Sequence, residues 1–342
     1  MSRWRSAGWS VLILPVILLP GAACGQVANG FDLSGALVPI REILGGGPPR
    51  DGIPALTDPP RVRRGAADVW LKPDDRVLGV ARGEEAMAYP VKILNRHEIV
   101  NDRVGGQAVL ITYCPLCGTG VVFQGEFDGK RALFGVSGLL YNSDVLLYER
   151  DTLSLFSQML FKGITGPLRG RELRIVPSTA TSWMAWSSRH PETDVLSRQL
   201  PFGMDYDSDP YLFYRRSGNL MFPVRGADRS RPSKEWAFLI HGKKTNLIVA
   251  EKTLKRATGR TAPERFALPQ GLRLVYDSRA RELQARDREE SDLTVIQGYW
   301  FALTAFHPSA REISSQDLQT EEDRQEDEQG QDNRSSPDTG PR

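Results

Sequence analysis

The sequence HEIVNDRVGGQAVLITYC (residues 97–114) places two glycines between two runs of mainly β-branched and aliphatic residues. A Gly-Gly pair in this position is a strong signal for a two-residue hairpin turn, because both central residues of a type I′ turn need positive φ. A hairpin centred on this pair places Val104 opposite Gln107, Val100 opposite Ile111 and His97 opposite Cys114. The segment therefore predicts a β-hairpin that brings an imidazole and a thiol to facing positions.

Three further strand-turn-strand patterns lie along the chain, with turns at Gly83-Glu84, at Asp128-Gly129 and near Gly242-Lys243. The second turn predicts that Phe123 pairs with Phe134 and Val121 with Val136. Helical signals are few. The clearest is the segment 179–190, which Ser178 or Thr179 can cap, and its two tryptophans predict packing against a sheet. The chain is thus predicted to be mainly β (α+β), with antiparallel hairpins in a sheet or partly closed barrel-like core and few short helices.

The sequence also contains two similar arrangements of hairpins. The hairpin 77–91 and the later segment 120–135 resemble the hairpin 237–250 and the later segment 273–285 in pattern, with little identity. A worn internal duplication explains this likeness, and chance similarity among hairpins is the alternative.

The two ends of the chain predict its location. A short basic start, an apolar run from Val11 to Leu19 and small residues at 21–23 have the form of a secretory signal peptide. The expected location is extracytoplasmic: periplasmic, secreted or membrane-anchored as a lipoprotein, with no transmembrane span after signal removal. Cys24 follows the cleavage site and is a candidate for lipid attachment; an unmodified cysteine is the alternative.

Composition then sets the domain boundaries. We predict a signal peptide at 1–23, an irregular Pro/Gly-rich entry arm at 24–65, one folded module at 66–312 and a disordered acidic tail at 313–342. From Gln316 to the end the chain has nine acidic and three basic residues, whereas the whole protein carries a net charge of +2. The basic residues of the body are scattered, so no nucleic-acid partner is expected.

The pair Cys114-Pro115-Leu116-Cys117 carries the clearest chemical signal. This spacing lets two sulfurs bind one tetrahedral metal, but one CxxC is only half of a site, so the other ligands must be His or carboxylate. His97 is the first candidate through the predicted hairpin, and His307, at the end of the last apolar run, is the second. Thiolate and imidazole ligands favour Zn(II) or Cu(I), in a site for structure, storage or delivery.

Two other uses of the same cysteines remain open. An extracytoplasmic thiol-disulfide oxidoreductase would use Cys114 and Cys117 as its reactive pair, and a ligand-binding module would use them as a static disulfide. A measurement of metal content distinguishes the metal site from both the oxidoreductase and the static disulfide. The residues assign no catalytic role, so enzymatic activity is left undecided.

A polar loop follows the second hairpin. In the segment 135–158, Ser137, Asn142 and Asp144 are secondary candidates for lining a pocket, and the alternative is that Asn-Ser-Asp simply forms a turn.

Six ordered motifs resemble one known family: DGIPALTDP, AYPVKILNRHEIVND, TYCPLCGTGVVF, FGVSGLLYNSDVLLYERDTLSLFSQ, GPLRGREL and FHP. This series, from about Arg50 to Pro308, resembles the bacterial and archaeal family known as domain of unknown function 3179. The resemblance implies no established activity. It does imply that the folded chain is one module in which His97, Cys114, Cys117 and the loop from Ser137 to Asp144 are positions of interest.

Two positions depart from the pattern that the resemblance implies. Members of the family usually carry Trp where this chain has Arg96 and Phe156. Phe156 keeps an aromatic ring for a core, whereas Arg96 is expected to point away from a metal site, since strand neighbours alternate faces.

Overall fold

The computed structural model describes residues 27–242, 246–258, 263–268 and 271–320. The predicted signal peptide, Cys24 and residues 321–342 of the predicted tail lie outside these ranges. Within them, no helix has the length and apolar character needed to cross a membrane.

Short strands make up most of the described structure. The strands of the N-terminal half are β1 Val27–Ala28, β2 Phe31–Asp32, β3 Ile43–Gly45, β4 Leu56–Thr57, β5 Arg61–Arg63, β6 Arg76–Arg82, β7 Glu85–Pro90, β8 Ile99–Val104, β9 Gln107–Cys114, β10 Thr119–Gln124, β11 Glu126–Phe127, β12 Lys130–Arg131, β13 Phe134–Tyr141, β14 Asp144–Glu149, β15 Leu155–Ser157 and β16 Lys162–Gly163. The strands that follow are β17 Thr179–Ser182, β18 Asp194–Leu196, β19 Trp236–His241, β20 Leu247–Ala250, β21 Glu264–Ala267, β22 Arg273–Asp277, β23 Glu282–Arg286, β24 Thr294–Tyr299, β25 Arg311–Glu312 and β26 Gln319–Thr320.

Helices are short and few. A 3-10 turn covers Ile40–Glu42, and the α-helices of the described ranges are α1 Arg64–Ala67, α2 Val91–His97, α3 Trp183–Arg189, α4 Leu212–Arg216, α5 Glu251–Ala257 and α6 Trp300–Phe306. Helix α3 starts later than the sequence predicts: Thr179–Ser182 is a strand, and the Ser182 hydroxyl accepts the N-cap hydrogen bond from Ala185 N. Its two tryptophans are buried against the sheet, as predicted.

The strands form small, mostly antiparallel sheets arranged like a five-bladed propeller. The strand orders of the larger sheets are β10-β9-β8-β4, β16-β15-β14-β13-β3, β17-β6-β7-β18-β5, β24-β19-β20-β25 and β23-β22-β21-β26. The mainly β prediction is confirmed, since the period-2 patterns and tight turns of the sequence form hairpins in each of these sheets.

The Gly105-Gly106 hairpin has the predicted register. Both glycines have positive φ, and Val104 pairs with Gln107 and Val100 with Ile111. The predicted pair of His97 with Cys114 does not form, because the ladder ends at Ile99 opposite Thr112. At Glu98 the backbone has φ 58°, which breaks the extended conformation and leaves His97 as the last residue of α2.

The Asp128-Gly129 hairpin is shorter than predicted. Its tip pairs Phe127 with Lys130, but the strands then separate. Phe123 pairs with Leu110 in the β9-β10 hairpin, and Phe134 pairs with Glu149 in the β13-β14 hairpin. The predicted Phe123–Phe134 and Val121–Val136 pairs are therefore wrong, because each strand has a longer partner in another sheet.

Both segments that flank the module contribute to its sheets. Before Ala66, strands β3, β4 and β5 pair with β13, β8 and β18. After Glu312, Ile313 is fully buried and β26 pairs with β21.

The backbone contains an internal duplication. A first repeat holds β6 to β10, α2, β17, α3 and β18, and a second holds β19 to β25, α5 and α6. In the two starting hairpins, Val77 pairs with Pro90 and Ala237 with Ala250, so both partners shift by 160 residues, and a seven-residue helix follows each hairpin.

The outer strands repeat with the same registers. Strands β17 and β24 run antiparallel to the first strand of each hairpin, and β18 and β25 run parallel to the second. Thr179 pairs with Gly79, and Ile296 pairs with Leu239. Ile296 lies 117 residues after Thr179, and Leu239 lies 160 residues after Gly79. Asp194 pairs with Met87 and Arg311 with Leu247, with the same two offsets. Chance resemblance among hairpins does not explain matching antiparallel and parallel registers, so the predicted duplication is confirmed.

The duplication also gives the CxxC turn a counterpart. Cys114 pairs with Thr119 across one turn, and Asp277 pairs with Glu282 across the other, so that both residues are displaced by 163 positions. The structural partner of segment 273–285 is therefore β9-β10, rather than the segment 120–135 that the sequence pattern indicated. The first repeat alone carries an insertion, residues 126–163 with strands β11 to β16, between β10 and β17.

The main core joins both repeats to this insertion. Its largest cluster contains Leu110 of the first repeat, Phe134 and Phe156 of the insertion, and Leu239 and Trp300 of the second repeat. Each such side chain stabilises the fold by roughly 1.5–3 kcal/mol through burial. A separate cluster packs Leu140 and Val145 of the insertion with Cys114, Leu116 and Cys117, so the insertion also packs against the turn that carries the cysteines.

Candidate metal centre

The turn between β9 and β10 brings the two thiols together. Cys117 N and Gly118 N both donate to the Cys114 carbonyl oxygen, at 3.2 and 2.8 Å, which closes a tight loop around Pro115 and Leu116. Gly118 has φ 66°, and a Cβ there would lie 2.7 Å from the Trp236 ring, so both backbone and packing require glycine. Cys114 is 1% exposed and Cys117 0%, and the thiols are not bridged.

Asp144 joins the thiols from the insertion. It follows the two-residue turn Asn142-Ser143, where both residues have positive φ, and it begins strand β14 opposite Tyr141. One ligand atom each from Cys114, Cys117 and Asp144 lies within 4.8 Å of the others. Two elements far apart in sequence thus converge on a fully buried Cys-Cys-Asp cluster.

The polar atoms of the cluster are only partly satisfied. Asp144 Oδ2 accepts a hydrogen bond of 3.2 Å from Met159 N, whereas Oδ1 is buried and has no hydrogen-bond partner in the described structure. The two Sγ atoms lie 3.6 and 3.3 Å from the Ser143 carbonyl oxygen. The thiols lie close to both this carbonyl and the Asp144 carboxyl.

Burial shifts every titratable group here toward its neutral form. It raises the pKa of the Cys114 thiol and raises that of Cys117 well above its usual range. It also raises the pKa of Asp144 to about 7, against the lowering effect of the Met159 N–H and the two thiols. Within the described ranges, no Lys or Arg forms an ion pair with this carboxylate. A bound cation would supply the missing charge and favour the ionised ligands.

Glu98 is a second buried carboxyl, near enough for its charge to interact with Asp144 and Cys114, and sequence reasoning missed it. It is 7% exposed, and burial followed by the charge of Asp144 raises its pKa to about 8. Its carbonyl oxygen accepts from Tyr113 N at 2.7 Å, which ties it to the strand that carries Cys114. Its place beside His97 in the hairpin segment was the available signal, since a carboxylate can complete a CxxC half-site.

One comparison with known proteins identifies a family. The family model for a protein of unknown function, DUF3179, matches residues 50–267, which is more than half of the chain. The chain belongs to this family. The match includes Glu98, Cys114, Cys117 and Asp144, and it ends before His307. No curated protein and no solved structure matches the chain.

The structure shows what the two residues that depart from the usual DUF3179 pattern, Arg96 and Phe156, contact. Arg96 Nη2 donates to the carbonyl oxygens of Asp205 and Ser208, at 3.3 and 3.0 Å, and so holds a loop. Phe156 is fully buried, with its ring stacked on Phe127 and edge-on to Phe134. Arg96 is thus engaged with backbone, and Phe156 keeps the aromatic core.

His97 is placed outside the cluster. Its Nδ1 lies 2.7 Å from the Pro54 carbonyl oxygen and its Nε2 lies 2.7 Å from the Tyr206 hydroxyl, so both ring nitrogens are engaged. Burial lowers its pKa and favours the neutral ring. The structure gives His97 a bridging role between the entry segment and the loop at 206.

His307 is also separate from the thiols. It follows α6, with Nδ1 3.2 Å from Asn246 Nδ2 and its ring 6.4 Å from that of His241. Burial and the nearby His241 lower its pKa to about 4. Its position corresponds to that of His190 in the first repeat, 117 residues earlier, where α3 ends.

The other secondary candidates stabilise turns. The Ser137 hydroxyl donates to the Leu146 carbonyl oxygen and accepts from Leu139 N at 3.0 Å, beside the irregularity in β13. Asn142 Oδ1 accepts from Arg225 N at 2.9 Å. Of the three residues singled out in this loop, the structure brings Asp144 alone to the cysteines.

Proposed function

We propose that this exported protein binds one zinc ion per chain through Cys114, Cys117 and Asp144. The supporting observation is the buried Cys-Cys-Asp cluster, in which a carboxylate oxygen has no hydrogen-bond partner among the described residues. Tetrahedral zinc with bonds of about 2.0–2.3 Å separates its ligand atoms by roughly 3.5–3.8 Å. The mutual limit of 4.8 Å is compatible with that geometry.

The carboxylate favours zinc over copper. Thiolates suit both Zn(II) and Cu(I), but a carboxylate oxygen is a hard ligand that Cu(I) binds poorly. The raised pKa of both thiols means that they hold their protons near neutral pH, and the raised pKa of Asp144, about 7, means that a large share of this carboxyl is protonated there. Zinc binding should therefore release protons and weaken at acid pH.

We assign the ion a structural or storage role. The thiols belong to the first repeat and Asp144 to the insertion, so the ion would connect two parts of the fold. Full burial of the ligands favours slow exchange over rapid delivery. Location outside the cytoplasm belongs to this proposal and rests on the signal sequence alone, as does lipid attachment at Cys24.

The burial that supports a metal disfavours redox chemistry by the same cysteines. Catalytic thiols have a lowered pKa and partial exposure, because the thiolate must form and reach its substrate. Both cysteines here are buried, and their pKa values are raised.

The first test is elemental analysis of protein purified without chelators or a histidine tag, with a free-thiol count on the same sample. We expect about one zinc per chain, lost in Cys114→Ser and Cys117→Ser and retained in the control His97→Gln. A protein with no metal and no free thiols at these positions would instead contain a disulfide and would contradict the proposal.

Glu98→Gln examines the fourth coordination position. A large loss of zinc affinity would make Glu98 the fourth ligand. Unchanged affinity would leave that position to solvent or to the Ser143 carbonyl oxygen, and would open it to exogenous ligands.

A further inference from the structure

A second feature lies between the two repeats, next to the cysteine turn. A cavity of about 240 Å³ is lined by Arg76, Tyr113, Arg215, Trp236, Arg281 and Gln297, among others. Tyr113 precedes Cys114 in the chain, and Gly118, which follows Cys117, also lines the cavity. The cavity therefore borders the candidate metal centre without containing any of its proposed ligands.

The cavity is lined by equivalent positions of the two repeats. Three pairs of equivalent residues face it, related by the offsets of 160, 163 and 117 residues: Arg76 with Trp236, Gly118 with Arg281, and Ala180 with Gln297. In each pair one residue carries a guanidinium or an amide, namely Arg76, Arg281 or Gln297, and its equivalent is Trp, Gly or Ala. Packing of a core alone would favour apolar side chains at such positions, because buried donors are costly unless they are hydrogen-bonded.

Two of the three arginines at the cavity are paired with carboxylates, and Arg76 is not. Arg281 binds Glu251 at 2.8 and 3.0 Å, and Arg215 binds Asp209. Arg76 donates to the carbonyl oxygens of residues 280 and 281 and to Gln297 Oε1, which are all uncharged. Burial and the nearby Arg281 lower its pKa to about 10, so it still carries its charge at neutral pH. One positive charge is left over at the cavity.

A buried donor without a partner supports the same conclusion. Gln297 is 6% exposed, and its Nε2 has no hydrogen-bond acceptor in the described structure. Its Oε1 is occupied by Arg76, which fixes the orientation of the amide. An unsatisfied buried N–H is costly, and an incoming oxygen acceptor would satisfy it.

We propose that this cavity binds a small oxyanion, a carboxylate or a phosphate, between the guanidinium groups of Arg76 and Arg215 and the Gln297 amide. Guanidinium groups match both anions through paired N–H donors. The volume is below the roughly 300–1,000 Å³ of pockets for drug-sized ligands, so the ligand is small. The Trp236 and Tyr113 rings provide an apolar wall for a short organic group. This site does not rest on the zinc proposal.

The test is titration calorimetry of the full mature chain with inorganic phosphate and, separately, with acetate, at constant ionic strength in sodium chloride. We expect saturable binding at one site for at least one of the two anions, and the tighter one identifies the preferred class. Arg76→Gln should weaken this binding at least about tenfold, because a charge-assisted contact is lost. Repeating the titration after zinc removal separates this site from the metal centre: retained binding shows that the two proposals stand independently.

Two further variants keep the test decisive. Arg215→Gln removes a second guanidinium that is partly exposed, so it serves if Arg76→Gln does not fold, and it should also weaken binding. Arg286→Gln is the matched control, because Arg286 lines a neighbouring groove and is paired with Asp292. No saturable binding of either anion to the wild-type protein would overturn the proposal. Equal weakening of anion binding in Arg286→Gln would also overturn it, since the loss would then follow from the change in net charge alone.

Discussion

Replacing Asp144 by asparagine should stabilise the metal-free protein at pH 8 while weakening its zinc binding. Burial raises the pKa of Asp144 to about 7, from an ordinary value of 3.8. The folded state therefore holds a proton that the unfolded chain has already released, so stability falls as pH rises from 3.8 to about 7 and then levels off. At about 1.4 kcal/mol per pKa unit, the ionised carboxylate costs roughly 4 kcal/mol at pH 8.

Asparagine removes this cost and keeps most of the local geometry. Its carbonyl oxygen can still accept from Met159 N, and its volume matches that of Asp144. We expect the free energy of unfolding of the metal-free variant to exceed that of the wild type by about 2–4 kcal/mol at pH 8, with little difference near pH 4. With zinc the sign reverses, because a neutral amide is a poor ligand, and affinity should fall on the order of 100-fold or more.

Guanidinium unfolding followed by tryptophan fluorescence measures both effects, between pH 4 and 8, in chelator and in zinc. Asp102→Asn is the matched control: Asp102 is also buried, but it binds Arg61 and the Tyr89 hydroxyl, both at 2.8 Å. Its removal should destabilise the protein by about 3–5 kcal/mol with or without metal. If Asp144→Asn lowers the stability of the metal-free protein at pH 8 as Asp102→Asn does, the account of an uncompensated carboxylate is refuted.

Three shorter predictions follow from burial and packing. In metal-free protein at pH 7, Cys114 and Cys117 should react with a thiol reagent far more slowly than a free peptide cysteine, and denaturant should restore the rate; rapid reaction in the native state would contradict their burial. His307→Gln should leave zinc content unchanged by elemental analysis, whereas loss of zinc would return that residue to the site. Gly79→Ala should lower the free energy of unfolding, measured by denaturant titration, by about 1–3 kcal/mol, because the added Cβ would lie 2.3 Å from the Trp186 ring. An unchanged free energy of unfolding would mean that the ring moves freely.

Local patterns predicted the hairpins well where a turn sets the register. Gly105-Gly106 specifies a two-residue turn, and from it Val104 and Val100 find their partners by counting. The same counting failed for His97, because Glu98 adopts positive φ and ends the ladder one residue after the helix. A register extrapolates only as far as the backbone stays extended.

The repeats illustrate the same limit at larger scale. Pattern likeness between the hairpins at 77–91 and 237–250 was enough to indicate a duplication, but it matched the wrong second segment. The insertion 126–163 interrupts the first repeat and has no sequence mark that separates it from the strands around it. The registers of the paired strands were needed to identify the equivalent turns.

The sequence by itself determined the mainly β class, the hairpin register at Gly105-Gly106 and the half-site of Cys114 and Cys117, because each follows from the properties of residues close together in the chain. Only the tertiary structure decided the rest of the site. Asp144 reaches the thiols through packing of the insertion against the first repeat, and a backbone break beside the strand of Cys114 leaves Glu98 buried near Asp144. No local pattern predicts either placement. Which buried carboxylate lies near a thiol depends on how sheets pack between segments far apart in sequence, and neither a turn motif nor a hydrophobic period encodes that packing.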